Sequence, residues 1–378
     1  MYSVEQQKTT PRFISQTEYA KALRPLLPAA AFAPDPSKLL ILLINLGIVG
    51  LGWAIAAHLD RWPAYWLWLY LPLTIIMANS VVALLFTSHD LMHGSVWRSR
   101  RWNYPISFLG LTLLWMPPTL WKVIHNRVHH STTNSLDDPD RNYLSSQPAT
   151  WGKWIQDAFV PSNTVSKLGL LLGMLSAWGV HGFRNLTSVI FFNHKHANYV
   201  PAPFVVSRRD QRWILGEVLV MLGLHLGILS YLQFDPIKLI LAYFLPIGLG
   251  YAGVMAYIYT NHMLSPLTEV NDPLLNSVSL HVPPLLDLLH CNFSYHAEHH
   301  IFPSLNSNYY PQVRALLAEH YPERMGYTLG ARAAWRFLLT TPRHYQDATT
   351  FTDASGQLTA ACQMNPVMES LECSASKT

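Results

Sequence analysis

Four stretches of the chain are apolar over the length of a bilayer-crossing helix, which takes about 20 residues. Residues 39–58 and 65–87 hold no Asp, Glu, Lys or Arg, and residues 213–234 and 237–260 form a second such pair. Only a short polar turn separates the members of each pair, the second turn being Asp235–Pro236, so the pattern predicts two helical hairpins. Glu217, the one acid inside these runs, is expected at the membrane interface. Residues 106–120 are apolar but short and carry Pro117 and Pro118, which predicts a re-entrant or interfacial segment rather than a span. Residues 168–192 are apolar at both ends but interrupted by Gly179, His181, Gly182 and Arg184, and read as interfacial helices or a buried wall.

Between these runs the polar positions set an orientation. The hairpin turns carry Arg61 and Lys238, while Arg98, Arg100, Arg101, Lys122, Arg127, Arg208, Arg209 and Arg212 lie on the opposite side with the N-terminal segment. The excess of basic residues places both termini and the segments 88–212 and 261–345 in the cytosol. The organisation expected is a cytosolic N-terminal tail (1–38), a membrane domain with a cytosolic cap (39–345), and a flexible polar tail (346–378). The lead-in has no short apolar run of a cleaved signal peptide.

Composition sharpens this picture. Half of the 378 residues are hydrophobic and 13% are charged, against about 25% charged in soluble domains. A net charge of +4 is too small for a nucleic-acid partner. Cys291, Cys362 and Cys373 form no CxxC pair, so neither a disulfide framework nor a zinc finger is expected.

Histidine is the outlier, with 18 residues. Eight fall in three clusters: His89 and His93; His125, His129 and His130; His296, His299 and His300. At this frequency chance supplies about 0.04 HxxHH triples per chain. Residues three and four apart share a helix face, so each cluster aims two or three imidazoles at one point. Eight imidazoles are too many for one ion and suit two, with iron, zinc, copper and nickel all open on donor type. No HExxH occurs, which removes the general base of a zinc protease. Asp90, Asn126, Asn292 and Glu298 are candidate partners for the outer ring nitrogens. Asp137, Asp138 and Asp140 are candidates for fixing the cap or a substrate head group. The other histidines (His58, His181, His194, His196, His225, His281, His290, His320 and His344) read as core or surface residues.

The clusters HDLMH, HNRVHH and HAEHH, with HHSTTNSLDDPDRN and NFSYHAEHHIFPSL around them, resemble the histidine boxes of the membrane fatty acid desaturase superfamily over residues 40 to 325. The resemblance implies an all-α integral membrane fold of four transmembrane helices under a cytosolic helical cap carrying a histidine-rich di-metal site. It implies two non-haem irons, O2 as co-substrate, and His262 in YTNHMLSP as a ninth ligand. The third box begins with His296 where front-end desaturases have Gln, and the HPGG of a fused cytochrome b5 is absent. Electrons are therefore expected from a separate ferredoxin or cytochrome b5, for a substrate carried on a lipid, coenzyme A or a carrier protein in a bacterial or cyanobacterial membrane. Hydroxylation of a lipid, carotenoid or alkane is the alternative outcome of the same centre. A metal transporter or haem carrier fits less well, since His225 is the one ligand-type residue far from a span end.

Overall fold

The computed structural model describes residues 13–97, 99–139, 157–194 and 204–362. Arg98, Asp140, His196 and the tail beyond residue 362 lie outside them. Four helices are long and apolar enough to cross a bilayer: Lys38–Ala56, Ala64–His93, Arg208–Tyr231 and Pro236–His262. The fold is all-α, with a few two- and three-residue strands in the cap.

The second and fourth spans form the centre of the bundle. Gly250 and Gly253 let them approach: a Cβ on Gly250 would lie 2.6 Å from Val81 Cβ, and one on Gly253 would lie 2.7 Å from Val82 Cγ2. With lipid outside as apolar as the interior, such close backbone approach is what holds membrane helices together. The fourth span relaxes into π-helix at Ile240–Phe244, and carbonyls there find side-chain donors on the first hairpin. Thr74 Oγ1 donates to Leu241 O at 2.8 Å, and Trp53 Nε1 to Ala242 O at 3.0 Å. At the hairpin turns, Lys238 is buried and donates to Ala57 O (2.8 Å) and Gln233 Oε1 (2.7 Å), and pairs with Asp60 at 2.8 Å. This basic residue is thus a tie between hairpins.

Residues 106–120 do not form one continuous helix. A helix at Arg100–Thr112 ends, Trp115 turns the chain at φ +51°, and a new helix starts at Pro118. Residues 168–192 form one unbroken helix, Lys167–Phe191, despite its internal glycines. It packs along the fourth span, burying Trp178 and Arg184 and leaving Phe183 and Phe191 outside. Glu217 is buried within the protein, accepting from Thr119 N at 3.0 Å and from the Tyr104 and Thr119 hydroxyls.

Both expected tails are structured where the structure describes them. Ser15 and Glu18 form a capping box for the helix Gln16–Leu23. That helix buries Tyr19 and Leu23 with Ile301, Val313 and Leu317 in the cap core. Arg324 Nη1 donates to Tyr19 at 2.5 Å and to Asp272 at 2.7 Å, and Ile14 N donates to Asp272 at 2.9 Å. At the other end, His344–Tyr345, Thr350–Thr352 and Thr359–Ala361 pair as an antiparallel sheet with Phe351 fully buried.

Gly250→Val is expected to destabilise the protein by about 1–3 kcal/mol through overpacking, while Gly216→Ala, with open space around its Cβ, leaves it unchanged. Thermal unfolding in detergent measures both; equal melting temperatures would contradict the close-packed seam.

Candidate metal centre

The first cluster is built on the end of the second span. The second span continues to His93 and is ended by Gly94 at φ +79°, a left-handed position that glycine adopts without strain. His89 and His93 therefore project one turn apart. Behind His89, its Nδ1 meets Asp90 Oδ1 at 3.1 Å, and Asp90 Oδ2 accepts from Lys38 Nζ at 2.5 Å. Lys38 is buried and also donates to the Ser307 hydroxyl.

The second cluster lies on π-helix, Lys122–His129. A wider turn aligns residues five apart rather than four. His125 and His130 accordingly face each other, Nε2 to Nε2 at 3.2 Å, while His129 points elsewhere with Nδ1 on Asp138 Oδ2 at 3.1 Å. The third cluster sits on a short helix, His296–Ile301. His296 and His300 approach at 3.1 Å through Nε2. His299 lies off that face, 3.1 Å from His89 Nε2 and 3.2 Å from His130 Nε2. The end of the fourth span adds His262, whose Nε2 is 2.6 Å from His296 Nε2 and whose Nδ1 is 3.1 Å from Asn276 O.

Nine histidines thus form two adjoining groups, with possible ligand atoms within 4.8 Å of one another in each. His89, His93, His125, His130 and His299 form one; His129, His262, His296 and His300 form the other. The protonation pattern decides what this space can hold. Asp90, Asp138 and the Asn276 carbonyl are acceptors, so His89, His129 and His262 carry their proton on Nδ1 and turn the Nε2 lone pair inward. Asn261, with its amide turned so that oxygen faces His296 Nδ1 at 3.2 Å, does the same for His296. Burial, and next the repulsion of neighbouring imidazoles, hold His125, His130, His299 and His300 well below the ordinary imidazole range, so these rings are neutral at pH 7. The buried His93 Nε2 has no hydrogen-bond partner. Converging lone pairs repel unless a proton or a metal cation lies between them. Imidazole nitrogens sharing an ion at about 2.1 Å are about 3.0–3.4 Å apart; four of the five Nε2 pairs, at 3.1–3.2 Å, match. The donor set fits two metal ions.

The outer shell differs from the expectation. Asp90 reaches a box histidine. Asn126 Nδ2 instead donates to Met92 O at 3.1 Å and Asn292 Nδ2 to Ser307 O at 3.1 Å. Glu298 faces away from the centre, accepting from Ser279 at 2.6 Å, Arg314 at 2.6 Å and Tyr327 at 2.9 Å. Of the cap candidates, Asp138 is buried against His129 and Asp137 is exposed. Tyr310, 3.0 Å from His299 Nδ1, Asn276 and Asn261 were not legible as partners. None of the remaining histidines among the described residues joins either group. His225 stacks on Trp115 at 3.9 Å, and His344 pairs with Asp157 at 2.6 Å.

An apolar slot runs up to this centre, between the second and fourth spans and the helix Lys167–Phe191. Leu85, Met116, Trp178 and Met255 line it, and His89, His125, His129, His262 and His296 close its inner wall. Its empty volume, counting the open mouth, is about 1250 Å³.

The family described as fatty acid desaturase matches residues 20–331, and the chain belongs to that family. It is 23% identical over 215 residues to a Nostoc sp. (strain 36) sn-1 acyl-lipid omega-3 desaturase (ferredoxin), covering 56% of this chain and 54% of the relative. The Synechocystis sp. (strain ATCC 27184 / PCC 6803 / Kazusa) protein of the same description is 30% identical over 129 residues, 33% of each chain. A fatty acid desaturase of Bacillus subtilis (strain 168) is 34% identical over 109 residues, 29% of this chain and 30% of the relative. The chain spans about half the length, or less, of these curated relatives.

Asp138→Asn is expected to weaken metal binding about 10- to 100-fold, the usual cost of losing a ligand's outer partner, whereas Asp137→Asn leaves it unchanged. Metal retained against a graded chelator measures this; equal retention in the two variants would contradict the assignment of Asp138 to His129.

Proposed function

We propose that the chain desaturates a fatty acyl chain at a di-iron centre held by the nine histidines. The observation that carries this reading is the apolar slot whose inner wall is made of histidines from both groups. Such a cavity, apolar apart from Ser176, His181 and Arg184, suits a hydrocarbon chain led up to the centre. The family membership and the desaturase relatives support the same chemistry.

When bound, the two irons supply the oxidising power to remove two hydrogens from adjacent methylenes. Overall, –CH2–CH2– plus O2, two electrons and two protons gives –CH=CH– and two waters. The electrons come from an external one-electron carrier; the ferredoxin named for the cyanobacterial relatives makes that carrier the first choice. The chain's own part is placement. Leu85, Phe86, Met116 and Met255 keep the acyl chain dry and in line. Asp90, held by Lys38, and Asp138 fix the tautomers of His89 and His129. The basic residues flanking the spans support a cap facing the cytosol in a bacterial or cyanobacterial membrane, and an acyl lipid is the favoured substrate carrier.

The fatty acid profile of a host expressing the chain with ferredoxin, by gas chromatography and mass spectrometry, tests this. A species lighter by two hydrogens is expected with the intact protein and absent with His299→Ala. A product heavier by one oxygen would mean hydroxylation instead, and an unchanged profile would overturn the reading.

A further inference from the structure

Among the described slot-lining residues, Phe293 is the apolar side chain in ring contact with histidines of both groups. Its centroid lies 5.4 Å from His89 of the five-membered group and 5.1 Å from His296 of the four-membered group. Trp121, the other aromatic beside His89, stacks on His125 at 4.6 Å and stays with the first group. Phe293 is half-buried, with the slot beside it.

Two aromatic rings hold this one from behind. Phe86 stacks on it at 3.9 Å and 16°, and Tyr257 meets it edge-on at 5.8 Å. Tyr257 is itself fixed by His290 Nδ1 at 2.9 Å, and His290 Nε2 by Asn79 Oδ1 at 3.1 Å. The chain enters Phe293 through two consecutive left-handed residues that are not glycine, Cys291 at φ +56° and Asn292 at φ +58°. Asn292 N donates to Asp287 O at 2.8 Å, and Phe293 N donates to His290 O at 3.1 Å. An uncommon backbone path, tied at both ends, therefore delivers one rigid ring to the junction of the two histidine groups.

Resting on the acyl-desaturation reading, we propose that Phe293 is a specificity-determining residue that sets which methylene pair is presented to the centre, and so where along the acyl chain the double bond forms. A hydrocarbon sliding through an apolar slot has no polar mark to stop it. A fixed steric feature beside the reacting position can distinguish one methylene from the next. One methylene in a fitted apolar site is worth about 10- to 200-fold in selectivity, so a single well-held ring suffices. Tyr257 acts through Phe293 as a positioning residue, and Phe86 backs the ring while lining the slot itself.

The test compares intact protein with Phe293→Leu and Phe293→Ala in the expressing host, reading double-bond position by mass spectrometry of derivatised acyl chains, and iron content of the purified proteins. One dominant position is expected for the intact protein, at least about tenfold over its neighbours. The variants are expected to keep their iron and to spread the bond over neighbouring positions at comparable yield. An unchanged position in variants that still turn over overturns the proposal, because a ring that only packs would lower yield without moving the bond. Full iron with no turnover, or lost iron in the Leu form, overturns it too, since the ring would then serve the chemistry or the centre's integrity. If the intact protein makes no unsaturated product, the desaturation reading itself fails, and the proposal with it.

Discussion

Inward-facing imidazole lone pairs cannot crowd together without a proton or a cation between them, and this protein brings nine imidazoles together. Four of the five Nε2 pairs, at 3.1–3.2 Å, have the spacing of ligands that share an ion, given tautomers that turn their lone pairs inward. The surrounding structure fixes those tautomers. Asp90, Asp138 and the Asn276 carbonyl each hold a proton on the outer nitrogen, and Lys38 and Asn134 in turn hold the two carboxylates. An outer ring of acceptors is what makes an inner ring of donors.

The membrane bundle acts as the frame for that ring. Two spans run on into the centre, one ending at His93 and the other at His262, so the glycine seam at Gly250 and Gly253 also sets the distance between ligands. The other two clusters come from short cap helices, which have little rigidity alone. They are fixed by buried ties: Asn134 and Asn276 around the second cluster, and Ser279, Arg314 and Tyr327 on Glu298 within the third. Glu298 thus orients the helix that carries the ligands without touching any of them.

Much of this was legible in the sequence because it is written in periodicity and in residue type. Uncharged runs of bilayer length marked the spans, and spaced histidines marked the centre. The division of those histidines was not legible, because it depends on a π-helical turn that pairs His125 with His130 instead of His129. Nothing in a 3.6-residue period announces such a turn. The outer partners were harder still. Asp90 is adjacent to its histidine and was found, but Tyr310 and Asn276 reach theirs from elsewhere in the chain, and Asn126 and Glu298 sit next to ligands yet point away. The lead-in was misjudged for a similar reason: its polar composition conceals Tyr19 and Leu23, two apolar residues four apart that dock on the cap.

The central claim is that this arrangement exists to hold two ions. Metal analysis by mass spectrometry of the intact protein, purified in mild detergent without added metal, tests it most directly. The account predicts about two irons per chain. A single ion per chain, zinc in place of iron, or a folded protein holding no metal would contradict it.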